Sequence, residues 1–225
     1  EENLFCIREM RRIQSLNFQR NSDNRIAILG GSFNPIHYGH LAMAKAAYDS
    51  FHFANVLLMP NATTYYKENI PSIKDTDRLS MLDLVVKEYS YLSISDIEIK
   101  RGGITHTIDT VRELEKEMPD RKIYFIIGGD SLLHLPGWVE AKELFKKVVF
   151  LTCIREDIDQ SESLALIDKY KKDYVGAEIE LLPMAKYDIS SSKIREMVRN
   201  GQSIKGLLPE SVAEFIQANG LYLED

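Results

Sequence analysis

Apolar positions fall into short unbroken runs, separated by longer stretches with helical spacing. Ile26-Ala27-Ile28-Leu29 contains no polar residue and ends at Gly30-Gly31. Such a run, bounded by turn residues, predicts a strand buried on both faces, as in a parallel sheet. Ile123-Tyr124-Phe125-Ile126-Ile127 and Val148-Val149-Phe150-Leu151-Thr152-Cys153-Ile154 repeat the pattern. Residues 55–59, closed by Pro60, and residues 178–182 give two more strands. Residues 92–99 alternate with one break in period, which predicts a strand with a bulge. Helical spacing marks 39–51, with Leu41, Ala44, Ala47 and Tyr48 on one face, and 77–89, with Leu79, Leu82 and Val86. Further helices are expected at 108–118, capped by Thr107, and at 140–146, 162–174, 193–200 and 209–219. Gly201 and Gly220 suit the ends of the last two.

Strand and helix alternate from residue 25 onward, which predicts an α/β fold. The expected architecture is a doubly wound, Rossmann-like parallel sheet of five or six strands. Helices lie on both faces, crossovers are right-handed, and the C-terminal end is helical. Residues 25–225 read as one domain. Residues 1–24 do not share the pattern: Arg8, Arg11, Arg12 and Arg20 stand among polar residues, and only Leu4, Ile7, Met10 and Ile13 form a weak apolar face. They read as an N-terminal extension or added leader, with an oligomerisation arm as the alternative, so a homo-oligomer stays open.

Composition narrows the partners. The net charge of −6 over 225 residues argues against a broad nucleic-acid surface. No apolar run approaches the ~20 residues of a membrane span, and no secretory h-region is visible. Cys6 and Cys153 have no metal-ligand spacing. These features are expected of a cytoplasmic protein with small-molecule partners.

Ligands of doubly wound sheets bind beyond the carboxyl ends of the strands, and four motifs fall there. In the first, Gly30-Gly31 permits a sharp turn and close approach to a ligand, and a helix begins near His37 and His40. A strand, a glycine turn and a helix N-terminus together make an anion site. The others are Gly102-Gly103, Gly128-Gly129-Asp130, and Ser190-Ser191-Ser192 with Arg195 one turn into its helix. The serine cluster suits a second phosphate site through hydroxyls, free N–H groups and a guanidinium fork. An ordinary serine cap with a surface arginine is the alternative.

Gly30-Gly31-Ser32-Phe33-Asn34-Pro35-Ile36-His37-Tyr38-Gly39-His40 resembles the first signature of the nucleotidyltransferases that carry His-x-Gly-His. It is most similar to that of the bacterial nicotinate-nucleotide adenylyltransferases. Ile189-Ser190-Ser191-Ser192-Lys193-Ile194-Arg195 resembles the second signature, and the likeness covers roughly residues 24–223. The resemblance implies an ATP site at Gly30, Gly31, Ser32, Phe33, His37 and His40. Gly129 and Asp130 would meet the ribose, and Ser190, Ser191, Ser192 and Arg195 the triphosphate. His37, His40 and Arg195 would be catalytic. The pyridine nucleotide would meet Asn34, Lys67, the segment Ile104-Thr105-His106-Thr107, Trp138 as a stacking ring, and Arg155.

The chain departs from the family twice. Where Pro-x-x-Pro-Pro-His-Lys is usual, it has Pro60-Asn61-Ala62-Thr63-Thr64-Tyr65-Tyr66-Lys67; where Arg-Pro-Gly is common, it has Arg155-Glu156-Asp157. Only Pro60 and Lys67 carry over at the first, and the roles of Lys67 and Arg155 are in doubt. The implied reaction transfers adenylate from ATP to nicotinate mononucleotide, releasing pyrophosphate. Magnesium is expected on ATP and water, with no protein metal ligands. Rival readings are a sibling enzyme acting on nicotinamide mononucleotide or phosphopantetheine, a cytidylyltransferase, or a non-catalytic nucleotide-binding module. The phosphopantetheine and cytidylyl siblings typically carry Thr-x-Gly-His.

Overall fold

The unbroken apolar runs become the inner strands of a six-stranded parallel sheet, ordered β3-β2-β1-β4-β5-β6. The computed structural model describes residues 24–62, 73–155, 160–184 and 188–223. The strands are β1 (Arg25–Gly31), β2 (Val56–Pro60), β3 (Leu92–Ile94), β4 (Lys122–Gly128), β5 (Val148–Arg155) and β6 (Glu178–Met184). Among the described residues the helices are α1 (Tyr38–Phe51), α2 (Asp75–Glu88), α3 (Ile97–Arg101), α4 (Thr107–Glu117), α5 (Gly129–His134), α6 (Ala141–Lys147), α7 (Gln160–Asp173), α8 (Ser191–Arg199) and α9 (Glu210–Ala218). A 3-10 turn, Leu135–Gly137, follows α5.

Period-two geometry explains why β1 has no polar residue between Ile26 and Leu29. Ala27 and Leu29 enter one core, with Ala44, Leu58, Leu82 and Val212; Ile26 and Ile28 enter the other, with Val111, Phe125, Leu144 and Phe150. Both faces are therefore covered by helices, as parallel sheets require. None of the described helices is long and apolar enough to cross a membrane.

Three local expectations change. The alternating stretch at 92–99 is not one bulged strand: β3 stops at Ile94, and α3 begins at Ile97. As an edge strand it has β2 as its one neighbour, and that pairing spans only Leu92–Ile94. Gly30 and Gly31 do not form the first turn either. β1 runs through both, paired with Met59 and Pro60, and the chain turns at Ser32–Pro35, where Phe33 takes a φ of 44°. Gly30 serves close approach instead: a Cβ there would lie 2.9 Å from Phe125 Cζ. Finally, the N-cap of α4 is His106, not Thr107, which is the first helical residue. Lys67 and residues 1–23 lie outside the described residues, as does the side chain of Arg155.

Candidate active site

The turn after β1 is held from both sides by buried arginines. Arg78, on α2, donates to the carbonyl of Ser32 at 2.9 Å and to that of Asn61, beyond β2, at 2.7 Å. Arg195, on α8, donates to the carbonyl of Asn34 at 2.7 Å and to Ser192 Oγ at 3.3 Å. Ser191 Oγ donates to the carbonyl of Pro35 at 2.9 Å. Ser190 is the N-cap of α8 and accepts from the Lys193 amide at 3.2 Å. The two motifs, far apart in the chain, thus form one structure. Arg195 is only 7 % exposed, and burial pulls its guanidinium below its ordinary value.

The turn leads directly into the histidines. His37 is the N-cap of α1, and its backbone N–H donates to His40 Nδ1 at 3.3 Å. An Nδ1 that accepts leaves the ring proton of His40 on Nε2. The two rings stack with centroids 3.8 Å apart, and Phe33 meets His40 edge-on at 5.0 Å. His37 is buried, its Nδ1 has no hydrogen-bond partner among the described residues, and burial lowers its pKa to about 4. It is therefore neutral near pH 7. Gly39 makes this packing possible, since a Cβ there would sit 3.0 Å from the His37 ring.

Two cavities open at the carboxyl ends of the strands. The smaller, of about 270 Å³, is lined by His37, Gly39, His40, Gly129, Asp130 and Cys153, among others. The larger, of about 670 Å³, is lined by Gly30, Gly31, Asn61, Thr105, His106, Thr107 and Trp138, among others, and again by His40. His40, Met43 and Gly128 belong to both walls. The larger cavity receives the N-terminus of α4, whose free N–H groups and dipole favour an anion. Trp138 stands perpendicular to Phe125 and Phe150, at 6.3 and 6.1 Å.

The Cytidylyltransferase-like family model matches residues 28–197. A protein of Lachnoclostridium phytofermentans named "Probable nicotinate-nucleotide adenylyltransferase" is 39 % identical over 199 residues, covering 88 % of this chain and 99 % of its own length. Another so named, from Geobacillus thermodenitrificans, is 38 % identical over 88 % of this chain and 86 % of its own. The chain belongs to the nicotinate-nucleotide adenylyltransferase family. The fold agrees: the Plasmodium falciparum nicotinic acid mononucleotide adenylyltransferase complexed with NaAD superposes with a TM-score of 0.72 at 20 % identity, over 89 % of this chain and 98 % of that one.

Set against the family signatures, ten of the twenty expected site residues line the two cavities. His37, His40, Gly129 and Asp130 line the smaller cavity, and Gly30, Gly31, Thr105–Thr107 and Trp138 the larger. Ile104, half exposed, is not on either wall. Neither are Ser32, Phe33, Asn34, the three serines and Arg195, which stand behind the turn or brace it. Sequence reasoning missed Arg78, Asn61 and Glu98. Glu98 sits inside an alternating stretch and Arg78 inside a helical one, so neither interrupts its pattern. Asn61, next to Pro60, reads as loop.

Proposed function

We propose that this adenylyltransferase moves adenylate from ATP to nicotinate mononucleotide, giving nicotinate adenine dinucleotide and pyrophosphate. The observation that carries it is His40, shared by the walls of two adjoining cavities. In adenylyl transfer the acceptor phosphate bonds to the α-phosphorus of ATP as pyrophosphate leaves, and such a seam lets the two nucleotides meet there. The smaller cavity, with the histidines and the start of α5, suits ATP. The larger, with Trp138 and the N-terminus of α4, suits a pyridine ring bearing a carboxylate.

The acceptor phosphate has a second pKa near 6, so it attacks as an anion and needs no general base. Catalysis then rests on alignment and on offsetting charge at the α-phosphate. His40 Nε2–H is assigned as donor to the α-phosphate, and His37 meets the neighbouring phosphates as a neutral ring. Ser190, Ser191, Ser192 and Arg195 are assigned to the triphosphate end. Arg195, engaged with Asn34 and Ser192, acts mainly by holding the turn. Asn34, Ile104, Lys67 and Arg155 are assigned to the acceptor side. Magnesium is assigned to the substrate, arriving with ATP. When bound it neutralises phosphate charge. The setting that fits these substrates and a buried free thiol at Cys153 is the cytoplasm.

The test is pyrophosphate release from ATP and magnesium with nicotinate mononucleotide, nicotinamide mononucleotide and phosphopantetheine in parallel. Turnover should be fastest with the first. Turnover with phosphopantetheine alone would assign the chain to a sibling activity, and none with any acceptor would leave a nucleotide-binding module.

A further inference from the structure

The wall of the larger cavity contains a buried acid that the transfer reaction does not use. Glu98, on α3, lines that cavity and is only 4 % exposed. Its Oε1 accepts from Thr110 Oγ1, on α4, at 2.6 Å. The Thr110 hydroxyl accepts from Arg101 at 2.9 Å, and Arg101 pairs with Glu113 at 2.7 Å. The nearest guanidinium is thus turned to Thr110 and Glu113, and none of the salt bridges among the described residues includes Glu98. Asp96, the N-cap of α3, and Lys100, within it, pair with each other. β2, packed against α3, has no titratable side chain. The histidines on the cavity wall are His40 and His106. Burial pushes the Glu98 carboxyl up to about 7, against the opposing effects of the Thr110 bond and the Arg101 charge.

Two carboxylates brought into one cavity repel, and the weaker acid takes a proton. A nicotinate carboxyl beside a pyridinium nitrogen is the stronger acid, so it stays ionised. We infer that Glu98 makes the choice between the two mononucleotides depend on pH, gaining a proton from solvent when the acid mononucleotide binds and gaining none when the amide binds. The inference rests on the proposed function. It makes acid binding weaken as pH rises above neutrality, while amide binding stays level. Thr110 remains hydrogen-bonded to Glu98 in either state, so the start of α4 keeps its place.

Titration calorimetry of the full chain at pH 7.5, in buffers of different ionisation enthalpy, counts the protons taken up with each mononucleotide. The shared phosphate makes the amide an internal control. Acid binding should take up more protons than amide binding, by up to one. The affinity ratio of acid to amide should fall by as much as tenfold per pH unit above 7. Glu98→Gln, which keeps the acceptor for Thr110, should abolish both effects. Equal proton uptake by the wild-type chain would overturn the inference without any variant, and leave the proposed function standing. Persistence of the extra proton in Glu98→Gln would overturn it too, and assign the proton to His106 or His40. Binding of neither mononucleotide would remove the proposed function and this inference together.

Discussion

Arg195 donates to the carbonyl oxygen of Asn34 at 2.7 Å, although the two stand 161 positions apart in the chain. The contact makes one rigid piece of the turn after β1 and the start of α8. Arg78 completes it from the opposite side through the carbonyl of Ser32. The two arginines fix the carbonyls of Ser32 and Asn34, and with them the conformation of the turn that leads into His37 and His40.

Arg195→Lys should therefore damage the enzyme although the charge is kept. A lysine ammonium is a point donor and cannot reproduce a fork that spans a carbonyl and a hydroxyl. Leaving a buried carbonyl unpartnered costs ~1–3 kcal/mol, which in a chain of this size lowers Tm by several degrees, at roughly 2–4 °C per kcal/mol. kcat should fall more than tenfold as the turn loosens. A lysine variant with unchanged Tm and kcat would show that the fork is dispensable.

His37 gives a stability prediction with a definite sign. Its folded pKa of about 4 lies below its ordinary value of 6.5. Between those values the unfolded chain binds a proton that the folded chain refuses, so stability falls as pH drops from 6.5 toward 4 and is fully present above 6.5. In His37→Gln this part of the slope disappears. Melting curves at half-unit steps from pH 4 to 7.5 measure it, and parallel Tm profiles for both proteins would mean that His37 is not shielded as described.

The fold was largely legible because strands buried on both faces leave an unmistakable apolar run, as at Ile26–Leu29 and Ile123–Ile127. The edge strand was not, because Ile97 and Ile99 continue the alternation while packing, from a helical turn, toward different cores. At the site, the histidine and serine motifs were visible as strings of special residues. What they do locally was less so: the glycines read as a turn but belong to β1, where Gly30 leaves clearance for Phe125. Arg78 and Glu98 left no signal, since a buried charge on a helix looks like a surface charge until its partners are known.

Trp138→Ala should raise KM for the mononucleotide about ten- to a hundredfold, as expected for the loss of one base–aromatic stack worth ~1–3 kcal/mol. KM for ATP should hardly move, since Trp138 lines the larger cavity and not the smaller. Some stability is lost as well, because the ring also packs on Phe125 and Phe150. Steady-state kinetics with each substrate varied in turn separates the two effects. If both KM values rise together, Trp138 is a packing residue only.

His40→Ala should act chiefly on kcat. The ring reaches both cavities, and its Nδ1 is engaged by the His37 amide, so the donor left for the reacting phosphate is Nε2. Removing one positioned donor from a water-poor site costs about 10²–10³ in kcat. The substrates' other contacts remain, so both KM values should change by less than about tenfold. His40→Asn is the sharper probe. Its shorter amide can still accept from the His37 N–H at the start of α1, but it does not extend to where Nε2 lies. It should therefore melt close to the wild type and yet be as slow as the alanine variant. Rapid single-turnover measurement with both proteins checks this. An asparagine variant that turns over normally would mean that the ring serves the helix start alone, and the donor at the α-phosphate would have to be sought in another residue.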